Sequence, residues 1–203
     1  MITAGEALAR LKEGNKKFLA LEHWHVEIDA GKRIDLAREQ APFAIILGCS
    51  DSRVPAEIIF NQGLGDLFVI RVAGNIVAPS QIGSIEFAAE QFGTRLVVVL
   101  GHSLCGAVSA TLSQMQQPVE SHSPNLHSIV SRIRPSLEGL LEPARAQDAD
   151  ALLRDAVRAN IDASVEQLRH GSTILEDLIA NDGLLVIGAE YDLETGIIDF
   201  FDE

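Results

Sequence analysis

Aromatic side chains are scarce in this chain, 5% of 203 residues, with one Trp and one Tyr. Its interior must therefore be built from Ala, Leu, Ile and Val. Basic residues are outnumbered, 16 Lys and Arg against 29 Asp and Glu, for a formal charge of −13. That shortfall argues against nucleic acid or an anionic membrane as partner, since both need basic patches. A small substrate stays open, because its local site can be positive inside an acidic protein. No apolar run reaches membrane-spanning length. Met1-Ile2-Thr3-Ala4-Gly5-Glu6 has no basic segment leading into an apolar core, so no secretory signal is expected. Only two cysteines are present. Without an export signal they read as thiols or metal ligands rather than a disulfide, in a cytoplasmic protein of bacterial type.

The hydrophobic share is 47%, enough for one sizeable core, and one domain over 1–203 is expected. Three parts follow in order: an N-terminal helical arm (1–40), a core carrying the motifs (41–115), and C-terminal helices with a hairpin (116–203). Thr3 with Glu6 fits a capping box. Ala7, Leu8, Leu11, Phe18 and Leu19 then recur at helical spacing, for a helix packed on the core or laid across a second subunit. In His23-Trp24-His25 the two histidines can share a face of an extended segment, but no carboxylate or thiolate stands nearby, and an interface loop is the better reading. Ile34 to Glu39 predicts a short helix stopped before Pro42.

Phe43–Leu47, Asp66–Arg71 and Leu96–Leu100 are short apolar runs, as expected of strands covered on both faces. Helices are predicted over 56–60, 80–92, 107–115, 125–134, 149–168 and 173–180. Leu184–Ala189 and Ile197–Phe201 are joined by a short turn and predict a hairpin. The fold class is thus α/β, with a mixed sheet that is parallel at its centre, an antiparallel C-terminal edge strand, and flanking helices.

In open α/β sheets, ligands gather beyond the carboxyl ends of the parallel strands. Gly48-Cys49-Ser50-Asp51-Ser52-Arg53-Val54-Pro55 and Gly101-His102-Ser103-Leu104-Cys105-Gly106 each follow such a strand. Two thiolates, an imidazole and a carboxylate (Cys49, Cys105, His102, Asp51) suit zinc. Cys105 also stands where a new helix starts, which favours thiolate. A thiol nucleophile with His102 as base, or buried filler, are the alternatives that chemistry leaves open.

As a set, these two motifs resemble the β-class carbonic anhydrases. The similarity continues through Gly65-Asp66-Leu67-Phe68-Val69-Ile70-Arg71-Val72-Ala73-Gly74-Asn75 and Gly83-Ser84-Ile85-Glu86-Phe87. It covers roughly 35–115 strongly and the C-terminal hairpin more loosely. It implies that Cys49, His102 and Cys105 bind one zinc per chain. Asp51 either takes the fourth position or turns away to pair with Arg53. Gln40 matches a glutamine that reaches substrate from a partner subunit, Gly106 a glycine whose N–H faces substrate, and Phe68 and Ala73 apolar pocket positions. The implied activity is reversible hydration of carbon dioxide to bicarbonate and a proton by zinc-bound hydroxide, in a homodimer built by exchange of N-terminal helices, or a homotetramer. Hydrolysis of carbonyl sulfide or carbon disulfide on the same scaffold, and a non-catalytic zinc-stabilised binding protein, are the rivals.

The Asp51-x-Arg53 pair speaks against the last of these. Four protein ligands make a closed, structural site, whereas hydrolytic zinc needs an open position. A guanidinium two residues away offers Asp51 a competing bidentate partner, and a purely structural site has no need of such a switch. In another branch of the family an allosteric bicarbonate site is built from Trp, Arg and Tyr. Arg71 and Tyr191 match two of these, but Ile46 stands where the Trp would be, so no regulation through that site is expected. His23, His25 and His122 are proton-shuttle candidates by residue type alone.

Overall fold

In the computed structural model, which describes residues 2–21, 30–117, 123–141 and 148–201, the chain centres on β3 (Leu96–His102). All seven of its residues are buried. It pairs in parallel with β1 (Ala44–Gly48) on one side and β4 (Leu185–Tyr191) on the other. Outside β1 lies β2 (Leu67–Arg71), also parallel, and outside β4 lies β5 (Ile198–Phe200), antiparallel. The order β2-β1-β3-β4-β5 is the mixed sheet expected from sequence.

Strand alternation divides the core into two layers. Ile45, Leu47, Val97, Val99 and Val186 face one way. On them pack α4 (Pro79–Gln91), α5 (Gly106–Gln116), α6 (Pro124–Leu137), α7 (Ala149–His170) and α8 (Thr173–Asn181). Ala44, Ile46, Val98, Leu100 and Ile187 face the other way, toward α1 (Ala4–Leu19) and α3 (Ala56–Ile59). A further α-helix, α2 (Ala30–Leu36), begins and ends earlier than the sequence predicts.

The capping box of α1 is formed: Glu6 N–H donates to the Thr3 hydroxyl, and Thr3 N–H to the Glu6 carboxylate at 2.7 Å. α1 packs on its own sheet. Asn15 ties it there, donating to the carbonyls of Ile59 and Gly196 and accepting from Ile198 N–H. α6 runs on through Pro135, where the sequence reading ends it. An interior proline costs about 3 kcal/mol. Continuing one turn lets fully buried Leu137 join Ile133 on the core face, and burying one such side chain contributes roughly 1.5–3 kcal/mol in return.

Candidate metal centre

The carboxyl ends of β1 and β3 lie side by side, Gly48 opposite Leu100. Cys49, immediately after β1, and His102, the last residue of β3, are thereby neighbours. His102 is paired in the ladder with Tyr191 and is part of the strand, not beyond it. The chain then turns through Leu104, whose φ of 57° is left-handed, a conformation that costs an ordinary residue about 1–2 kcal/mol. The turn delivers Cys105 to the N-cap of α5. The Cys49 and Cys105 sulfurs and a His102 ring nitrogen lie within 4.8 Å of one another, and all three residues are buried.

His102 Nδ1 lies 2.9 Å from the Ser103 carbonyl. A carbonyl can only accept, so Nδ1 carries a proton, and in the neutral ring it is Nε2 that presents a lone pair. Nε2 is buried without any hydrogen-bond partner. Orphaning it costs free energy unless something electrophilic is bound there. Two thiols and that lone pair, buried together, fit zinc.

Without a cation the two thiols share a proton. The Cys49 thiol is pulled well below the usual thiol range, chiefly because Cys105 donates to it, despite burial. Cys105 is pushed up, first by that same partnership and then by burial. The N–H groups of Ala107 and Val108 at the start of α5 do favour its thiolate, as the sequence predicts, but the neighbouring Cys49 thiolate outweighs them. Burial opposes charge on His102 more than any other single influence, yet Cys49, the Ser103 carbonyl and Asp51 together raise it. A divalent cation would displace these protons.

Of the two alternatives sequence allowed for Asp51, the structure shows the pair with Arg53. Arg53 Nε donates to Oδ1 at 2.9 Å and Nη2 to Oδ2 at 2.8 Å. This bond holds the Asp51 carboxyl well below the usual carboxylate range. Turned to Arg53, Asp51 is not one of the three clustered donors, although its Oδ2 is only 3.8 Å from His102 Nε2. Arg71 fixes the backbone of the same loop, donating from Nε to the Cys49 carbonyl at 2.9 Å and from Nη2 to the Asp51 carbonyl. Sequence reading matched Arg71 only to an arginine of an allosteric site; its hold on this loop was not anticipated, since its contacts are to backbone and leave no side-chain pattern.

Gly106 opens α5 beside the cluster, and nothing lies within 4 Å of where a side chain would begin. Ala73 lines an apolar cavity of about 300 Å³ with Ala107, Ala110, Leu126 and Ile129. Phe68 instead packs among Phe87 and Phe92. Gln40 is exposed and precedes β1, at the opposite end of that strand from Cys49, so within one chain it does not join the site. His23, His25 and His122 lie outside the described residues. The N–H of Gly74, 3.4 Å from Cys49 Sγ, was not anticipated.

Residues 44–198 match the family model described as carbonic anhydrase. A carbonic anhydrase of Mycolicibacterium smegmatis is 37% identical over 93% of this chain and 89% of that protein. Carbonic anhydrase 2 of Mycobacterium tuberculosis is 38% identical over 92% and 87%. Among solved structures, a tetrameric β-carbonic anhydrase of Sordaria macrospora superimposes with a TM-score of 0.75 at 27% identity, over 84% of this chain and 86% of that one. A Coccomyxa β-carbonic anhydrase in complex with acetazolamide gives 0.74 at 26%, over 97% and 86%. Sequence and fold agree, and the chain belongs to the β-class carbonic anhydrases, a family of zinc-dependent lyases.

Proposed function

We propose that this protein catalyses the reversible hydration of carbon dioxide to bicarbonate and a proton, with one zinc per chain on Cys49, His102 and Cys105. The observation that carries the reading is the bidentate Arg53–Asp51 pair beside the orphaned His102 Nε2. It leaves three donors and an open fourth position, the arrangement of a catalytic rather than a structural site. Zinc there supplies the Lewis acidity that brings the ionisation of a water close to neutral pH.

The chain's own groups do the rest. Asp51, kept ionised by Arg53, accepts a hydrogen bond from the attacking oxygen and turns its lone pair toward the carbon of CO₂. The Gly106 N–H faces the substrate oxygens, and the missing side chain permits close approach. The apolar lining at Ala73 suits a linear, uncharged substrate. Gln40 of the partner subunit adds a donor, which makes the functional unit a homodimer or homotetramer; the tetrameric relative supports this. Two free thiols, Cys49 and Cys105, support a cytoplasmic location.

Metal analysis with stopped-flow CO₂ hydration tests the reading. Near-stoichiometric zinc and hydration rising toward pH ~8–9, where such a water is largely ionised, are expected. Activity that survives removal of the metal by a chelator overturns it.

A further inference from the structure

Cys49 receives a hydrogen bond from a backbone group that is itself held from a distance. Gly74 and Asn75 both adopt left-handed backbone, with φ of 70° and 43°. For Asn75 this is unfavourable, and such conformations persist only where the surroundings over-determine them. The surroundings here are two polar side chains on the buried face of α7. Asn160 Nδ2 donates to the Gly74 carbonyl at 2.8 Å, and Ser164 Oγ to the Asn75 carbonyl at 3.2 Å. They stand one helical turn apart and are only 2% and 5% exposed. With two successive carbonyls drawn toward α7, the Gly74 N–H points at Cys49 Sγ.

The seat of α7 is fixed by the residue between them. Ile161 fills the notches left by Gly101 and Gly188; a Cβ on Gly101 would collide with it, and one on Gly188 would come within 2.8 Å. Helix, turn and sulfur are therefore in rigid series.

We infer that Asn160 and Ser164 are positioning residues for the metal-binding thiolate: through the Gly74–Asn75 turn they aim an N–H at Cys49 Sγ and so tune its hold on the metal. The inference rests on the zinc-site reading above. Partners one shell out from a metal typically carry a 10- to 100-fold effect on affinity. A sulfur relieved of its N–H donor also holds its lone pair less tightly, so its charge transfer to a metal moves to longer wavelength.

The test uses cobalt-substituted protein and zinc affinity by chelator competition. Asn160→Leu keeps the bulk and removes the donor; it should weaken zinc about tenfold and shift the thiolate-to-cobalt band to longer wavelength. Ser164→Ala, which suits a helix well, should move both in the same direction by less, and it decides the matter if Asn160→Leu fails to fold. Leu168→Ala, elsewhere on the same buried face, should lower stability and leave both readouts at their wild-type values. Unchanged band and affinity in the folded Asn160 and Ser164 variants overturn the inference, as do equal changes in Leu168→Ala. Wild-type protein that takes up neither zinc nor cobalt overturns the zinc-site reading instead.

Discussion

Arg53 is the residue on which activity and metal binding come apart. It touches none of the three clustered donors, yet its guanidinium occupies both oxygens of Asp51. Arg53→Ala should keep its zinc and lose about 10- to 100-fold in kcat, read by metal analysis and stopped-flow hydration. The same pair sets a pH dependence. Asp51 ionises more readily folded than unfolded, so its contribution to stability is present above the ordinary carboxylate range and is lost as pH falls through the lowered value. The stability gap between wild type and Arg53→Ala, measured by urea unfolding, should therefore be largest near neutral pH and close in strong acid. Arg71 is committed to two backbone carbonyls, and Ile46 is wholly inside the sheet. Rates should accordingly be indifferent to bicarbonate as an effector; an inhibition by bicarbonate that vanishes in Arg71→Ala would show otherwise.

At the scale of elements, α1 is held by a close approach. A Cβ on Gly14 would run into the backbone carbonyl of Phe60, which cannot swing aside as a side chain can. Gly14→Ala should lift the helix from α3 and cost about 1–3 kcal/mol in denaturant unfolding, with zinc content unchanged because Cys49 and Cys105 belong to the core layer on the other face of the sheet from α1 and Phe60. The elements were also what the sequence showed best. Five apolar runs and the helical periodicities named every strand among the described residues and the sheet's mixed character, because patterning answers to one local question, which faces are covered. Pro135 misled because a breaker rule weighs one lost bond and cannot see Leu137 reaching the core. The three clustered donors were legible since Cys and His are rare and stood at strand ends. Arg71, Gly74 and Asn160 were not, because each of these contacts has a backbone group on one side, and backbone groups leave no trace in residue type.

The molecule as a whole depends on its site. Three buried donors, one of them a His102 nitrogen with no hydrogen-bond partner, mean that metal bound to the folded state adds to stability by mass action. Dialysis against a strong zinc chelator should lower the melting temperature by several degrees (about 1 kcal/mol moves Tm by roughly 2–4 °C in chains near this length), and added zinc should restore it. Light scattering should report a dimer or tetramer. The −13 charge makes both measurements practicable at neutral pH, where self-repulsion opposes non-specific association.

The sheet order also dictates a history. β3 is the centre of the sheet, yet its second neighbour, β4, is separated from it by the whole of α5 to α8. While a ribosome is still making those helices, the Leu-Val-Val-Val-Leu edge of β3 has a partner on one side only. An unpaired apolar edge is a template for another chain, and long-range pairing is slow. Nascent chains should thus pass through an interval of vulnerability that ends only when residues 185–191 emerge. A chain stopped before β4 should aggregate, and refolding yield of the full chain should fall as its concentration rises.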